Sequence, residues 1–141
     1  MLIRVFVYGT LKPGECNYDR YCHGKVIAAE EAIAHGQLFH LSRCGYPGMI
    51  AGEGTVRGVV LSFEDTNLLK TLDVLEDYDP NAPADTNEYN RQSIEVFNLA
   101  GDSMGFVWAY IMRPQLVTRL GGVFLPKGVW GSISYLPKDP L

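Results

Sequence analysis

Short apolar runs rich in β-branched and aromatic residues, and one leucine stripe at helical spacing, mark this chain, so strands and helix are both expected. Residues 2–8 are rich in β-branched and aromatic side chains and stop at Gly9, with Pro13 and Gly14 just beyond. That pattern predicts a buried strand emptying into a loop over residues 9–15. Residues 17–23 fit one or two helical turns, with Asn17 as N-cap. The Ala and Glu content of residues 26–35 favours helix, yet Gly36 and the following Gln37-Leu38-Phe39-His40-Leu41 favour extended chain. A strand is therefore expected over 32–41, an irregular glycine-rich connection over 44–54, and another strand over 55–63.

Leu68, Leu69, Leu72 and Leu75 form one stripe at helical spacing, predicting a helix that Asp65 or Thr66 caps and that runs through Tyr78. Residues 79–88, with their prolines, asparagines and aspartates, should form an exposed loop. Residues 89–99 and 104–112 flank a turn at 100–103 and predict an antiparallel hairpin. From residue 121 onward Gly and Pro rise, while Phe124, Leu125, Trp130, Ile133 and Tyr135 are candidates to pin the tail to the body. Strand and helix do not alternate regularly, which argues against a doubly wound parallel sheet. The class expected is α+β, a small mixed β-barrel or strongly bent sheet with flanking helices. Neither a repeat nor a linker interrupts it, so residues 1–141 are expected to form a single domain.

Composition narrows the partners. At 141 residues and 47% apolar, the chain is long enough for one real core. Its 12 basic and 16 acidic residues give a net charge of -4, so no basic field attracts nucleic acid or an anionic membrane. No apolar stretch nears the roughly 20 residues that span a bilayer. Cys16, Cys22 and Cys44 are an odd number and do not suggest a disulfide framework; reduced thiols and a cytoplasmic protein are expected.

Two places carry candidate chemistry. In Tyr8-Gly9-Thr10-Leu11-Lys12-Pro13-Gly14 a strand ends at a glycine that permits close backbone approach, and unpaired N–H groups there would suit an anion or a developing oxyanion. Glu15 and Cys16 stand where a phosphate loop needs Lys and Ser or Thr, which disfavours nucleotide phosphate; an ordinary turn is the plainer alternative. The second place is Glu76. At about 100° per residue it lies about 40° from Leu72, inside the leucine arc, while Asp73 and Asp77 fall outside. Burial would raise its pKa and make it a proton acceptor, with Asp77 and Asp79 pushing the same way. The alternatives are a carboxylate that escapes to solvent or one tied to a buried Tyr or Arg.

Elsewhere the chemistry is thin. Cys22 and His23 are adjacent and point apart on a helix, so they do not make a thiolate pair. His35 and His40 face opposite sides of a strand and show no zinc spacing with the cysteines, so no metal is expected. Tyr46, Tyr89, Trp108, Tyr110 and Trp130 are core or rim aromatics, any of which can line a pocket.

Taken in order, Val5-Phe6-Val7-Tyr8-Gly9-Thr10-Leu11-Lys12, Gly36-Gln37-Leu38-Phe39, Gly45-Tyr46-Pro47, Leu72-Asp73-Val74-Leu75-Glu76-Asp77-Tyr78, Tyr89-Asn90-Arg91 and Val107-Trp108-Ala109-Tyr110 resemble the gamma-glutamylcyclotransferase-like family. The resemblance implies a small mixed barrel, a substrate loop at Tyr8, Gly9, Thr10 and Leu11, and Glu76 as the catalytic acid and base. Tyr46 and Tyr110, with Tyr8, are the further candidates for closing the pocket. It also implies a small gamma-glutamyl substrate, 5-oxoproline as product, and neither metal nor organic cofactor. Two positions depart from many relatives: Asp77 stands where they carry Gly, and Val129 where they carry the Asp of a Gly-Asp-Trp run. A binding module on the same scaffold, without turnover, is the alternative from another functional class.

Overall fold

A computed structural model describes residues 2–131. Strand β1 (Ile3–Val7) pairs antiparallel with β3 (Tyr46–Phe63) on one side and parallel with β5 (Ser103–Ile111) on the other. Strand β4 (Asn90–Phe97) joins β5 to β2 (Ala28–Leu41), and β2 pairs with β3. The ring β3-β1-β5-β4-β2 thus closes into a mixed five-stranded barrel, with β6 (Gly122–Phe124) appended to β2. Helices α1 (Thr66–Leu75) and α2 (Pro114–Arg119) are short and flank it. The expected barrel class is what forms. Among the described residues, no helix is long and apolar enough to cross a membrane.

The apolar run of β1, interrupted only by Arg4, has a direct cause: both faces of the strand are covered. Val5 and Val7 join Leu61, Phe63, Leu68 and Leu72 in the layer beneath α1. Phe6 and Tyr8, on the opposite face by strand alternation, join Ala32, Ala34, Val60, Val107 and Ala109. Of the tail candidates, Trp130 is buried at 2% exposure, Leu125 is partly buried and Phe124 stays exposed; Ile133 and Tyr135 lie outside the described residues.

Three element boundaries depart from the expectations. Residues 46–50 are not irregular but belong to β3, paired with Leu41 back to Gln37. Their glycine serves packing rather than turning, since a Cβ at Gly48 would meet the Met112 sulfur at 3.0 Å. Of the expected irregular stretch, Cys44 and Gly45 lie in the turn between β2 and β3, and within β3 the distortion is at residues 51–54, where Gly52 and Gly54 have positive φ and the register with β2 shifts between His35 and Gln37. Strand β2 begins at Ala28, so the Ala- and Glu-rich segment that favours helix locally is extended and paired with Val59 to Ser62. Tertiary pairing overrides propensity there.

The third departure is the end of α1, at Leu75 rather than Tyr78. Tyr78 N–H donates to Asp73 O at 2.8 Å and Asp77 N–H to Val74 O at 3.1 Å, with Asp77 at φ 53. This is a Schellman termination with a left-handed residue at the position glycine usually takes. The start of α1 is as expected: Asp65 caps it, its side chain accepting from Asn67 N–H.

Candidate active site

The Schellman turn sets the position of Glu76, the last residue of the helix path. Its carboxyl enters a cavity of about 140 Å³, partly open to solvent, whose wall also includes Tyr8, Gly9, Thr10, Leu11, Tyr46 and Tyr110. All seven residues singled out in the sequence therefore line one space. An engineered cavity of roughly this size holds benzene, so the space suits a small acyl group rather than a peptide.

Burial pushes the Glu76 carboxyl up to about 8, with the negative charge of Glu88 as the second cause. Asp77 and Asp79, expected to add to that push, are exposed; the acid that does so arrives across a loop. That loop is not wholly exposed. Asn87 is buried, accepts from Asp79 N–H at 3.1 Å and donates to Asp79 O at 3.1 Å, and Glu88 N–H donates to Asp77 O at 3.3 Å. These bonds fold the segment back so that Glu88 meets the turn bearing Glu76.

The loop after β1 faces the same cavity. Lys12 N–H donates to Gly9 O and Asn17 N–H to Thr10 O, each at 3.0 Å. Among the described residues the N–H groups of Gly9, Thr10 and Leu11 donate to no protein acceptor. Gly9 is required, although the close neighbour is protein: a Cβ there would stand 2.5 Å from Pro47 Cγ. Asn17 does not cap a helix. Its side-chain amide donates to Thr10 Oγ1 at 2.8 Å, and the chain then makes a single π-helical turn, Tyr18–Cys22. The Thr10 hydroxyl proton stays available to the cavity.

The tyrosine hydroxyls hold the wall together instead of facing a ligand. Tyr8 donates to Tyr110 O at 2.6 Å and accepts from Met49 N–H at 3.3 Å. Tyr110 donates to Asp73 at 2.7 Å, Tyr89 to Pro47 O at 2.5 Å, and Tyr46 to Glu88. Burial raises all four phenols above their ordinary range, so each stays a neutral donor.

Asp73 was expected on the outer side of the helix, yet it is 9% exposed, bonded to Tyr110 and paired with Arg91 at 3.2 Å. A helical wheel scores apolarity alone and misses a carboxylate that finds buried partners. Tyr89, one of the aromatics expected to be able to line a pocket, does so, and Pro47, Glu88 and Asn17 also line the cavity without having been singled out for it. Pro47 and Tyr89 stood inside motif segments; Glu88 and Asn17 gave no local signal. Cys22 is fully buried, its thiol pushed up to about 11 by burial, and His23 beside it is exposed. His35 packs on Phe97 and His40 accepts from Trp130 Nε1 at 3.0 Å, on opposite faces as expected.

Comparison with known proteins gives the family and the fold. The family model described as gamma-glutamyl cyclotransferase, AIG2-like, matches residues 5–132. A Vibrio cholerae protein named as a gamma-glutamylcyclotransferase is 36% identical over 109 residues, 77% of this chain and 81% of its own. The Niallia circulans gamma-L-glutamyl-butirosin B gamma-glutamyl cyclotransferase is 32% identical over 116 residues, 82% of this chain and 71% of its own. In fold, the chain is similar to an AIG2-like protein from Mus musculus, with TM-score 0.69 at 23% identity, over 96% of this chain and 91% of the other.

Proposed function

Because the chain belongs to the gamma-glutamyl cyclotransferase, AIG2-like family, we propose that it converts a small gamma-glutamyl amine, amino acid or peptide into 5-oxoproline and the free amine. The observation that carries this reading is the desolvated Glu76 carboxyl sharing a small cavity with the undonated N–H groups of Gly9, Thr10 and Leu11.

The chemistry needs no nucleophilic side chain. The substrate's own α-nitrogen attacks its γ-carbonyl carbon, a C–N bond forms to close the five-membered ring, and the original amide C–N bond breaks. No water is consumed. The α-nitrogen must shed a proton to attack, and the departing nitrogen must gain one. Glu76 performs both transfers, as acceptor and then donor. A carboxyl pushed up to about 8 is a stronger proton acceptor than an exposed carboxylate, so taking the α-nitrogen's proton is less uphill than it would be for an ordinary Glu.

The loop N–H groups answer the substrate's negative charge. In this reading some hold its α-carboxylate and others the oxyanion that develops on the γ-oxygen. The cavity's small volume favours the folded-back rotamer in which the α-nitrogen and γ-carbon meet, which contributes proximity. Tyr8, Tyr46 and Tyr110 support the wall around these groups through their hydrogen bonds to Tyr110 O, Glu88 and Asp73.

The direct test is Glu76→Gln, which preserves shape and removes the proton carrier. Release of 5-oxoproline from gamma-glutamyl substrates should fall by at least about a hundredfold. Turnover close to that of the unmodified protein would overturn the assignment.

A further inference from the structure

A second space adjoins the cavity. It is a shallower groove of about 340 Å³, bounded by Asp77, Asp85, Arg113 and Arg119, and Tyr46 and Glu88 line both it and the cavity. The two spaces meet at Tyr46 and Glu88, so a gamma-glutamyl group filling the cavity has the groove beside it, across Glu88.

The balance of charge then indicates which group lies beyond that nitrogen. The charged side chains lining the cavity are Glu76 and Glu88, without Lys or Arg. The glutamyl group brings one ammonium and one carboxylate; the loop N–H groups answer the carboxylate and Glu76 the ammonium. Glu88 remains. Its side chain accepts from the neutral Tyr46 hydroxyl, and among the described residues it forms no ion pair. A carboxylate at the wall shared by cavity and groove, with no ion-pair partner among the described residues, is matched by a cation that the substrate supplies. Arg113 and Arg119 line the groove but not the cavity, and Glu88 is the one charged side chain among the lining residues that the two spaces share.

We propose that the groove is the leaving-amine subsite, and that Glu88, held by Tyr46, selects leaving amines that carry a second, positively charged nitrogen. This rests on the cyclotransferase reading and narrows its substrate class to gamma-glutamyl diamines and their like. Glu88 is a specificity-determining residue here; the proton transfers remain with Glu76.

The mono-gamma-glutamyl amides of putrescine, n-butylamine and gamma-aminobutyrate share a four-carbon leaving amine and differ at the far end in being cationic, neutral or anionic. Assayed at about pH 9, where Glu76 is ionised, kcat/KM for the putrescine amide should exceed that for the butylamine amide by about tenfold, with the aminobutyrate amide lowest. Glu88→Gln should bring the first two within about twofold of each other, mainly by lowering the putrescine value. Equal turnover of all three, preference for the aminobutyrate amide, or a uniform loss in Glu88→Gln overturns the proposal. Calorimetric binding to Glu76→Gln separates the two readings. If the unmodified protein releases 5-oxoproline from none of the amides, the cyclotransferase reading fails. The putrescine amide should still bind about tenfold more tightly than the butylamine amide, an advantage absent from Glu76→Gln/Glu88→Gln. No such preference in binding overturns the subsite.

Discussion

Tyr110 donates a 2.7 Å hydrogen bond to Asp73, and so joins the strand that carries one wall of the cavity to the helix that delivers Glu76. Asp73 is bound three times over: by Tyr110 and Arg91 at its carboxylate and by Tyr78 N–H at its carbonyl. The carbonyl of Tyr110 in turn accepts the Tyr8 hydroxyl, at the point where β1 releases the donor loop. A short chain of hydrogen bonds thus connects the helix that carries the acid to the strand that precedes the donor loop, both of which line the same cavity. Fixed relative placement of this kind is what general acid-base chemistry demands.

Removing Asp73 should loosen that connection and strand a cation. Arg91 is stacked between Tyr78 and Trp108, and its Nε is already buried without a partner. Asp73→Ala is expected to lower unfolding free energy by about 2 to 3 kcal/mol, at or just below the bottom of the range of about 3 to 5 kcal/mol for breaking a fully buried pair, since both partners retain some exposure. Urea denaturation measures it. Asp73→Ala/Arg91→Met should recover part of the loss, because the orphaned guanidinium is gone; a double variant less stable than the single one would contradict the account.

The pH dependence of turnover follows from Glu76. With its carboxyl pushed up to about 8, kcat/KM should fall about tenfold per pH unit below that value, as the free enzyme's acceptor becomes protonated. Burial is the larger cause and Glu88 the second, so Glu88→Gln should shift the acid limb to lower pH without returning it to an exposed carboxylate's value of about 4.3. A pH-rate profile for a neutral gamma-glutamyl amide checks both points. A limb at ordinary carboxylate pH in the unmodified protein would contradict them.

The same shift predicts a stability profile of definite sign. Unfolded, Glu76 titrates near 4.3; folded, near 8. Between those values the folded state binds more protons, so this residue's contribution to stability declines as pH rises through the window and levels off above it. Glu76→Gln carries no titrating proton there. Its stability relative to the unmodified protein should therefore grow from about pH 4 to about pH 8 and then stay constant, by on the order of a few kcal/mol. Melting temperatures of the two proteins across that range test it, and a difference independent of pH would contradict the burial of the carboxyl.

How much of this was legible in the sequence depended on whether a signal was local. The two-faced burial of β1 announces itself as an apolar run interrupted only by Arg4, and the leucine stripe locates α1 and places Glu76 toward the cavity. Long-range pairings leave no such trace. Residues 46–50 look like loop because Pro47 and Gly48 break local propensity, yet the opposing strand supplies their partners and Gly48 makes room for Met112. Glu88 and Asn17 were invisible for the same reason: each enters the site by a side chain whose neighbours come from elsewhere in the fold, Tyr46 for one and Thr10 for the other. Asp73 was misjudged because polarity alone says nothing of whether an Arg and a Tyr await it.

Asp77 offers a prediction in the stabilising direction. It sits at φ 53 where the Schellman turn asks for a left-handed residue, and it places a negative charge at the C-terminal end of α1. Both are unfavourable: a Cβ is strained in that conformation, and the helix end already carries partial negative charge. Asp77→Gly should relieve both and raise unfolding free energy by about 0.5 to 1 kcal/mol, after allowing for the extra freedom glycine gives the unfolded chain. Asp77→Asn removes only the charge and keeps a side chain that tolerates the turn, so its gain should be a few tenths of a kcal/mol. Guanidinium denaturation of the three proteins separates the contributions. Should Asp77→Gly prove less stable than the unmodified protein, Asp77 would have to hold the Glu76 turn through its side chain, and release of 5-oxoproline would then decline with it.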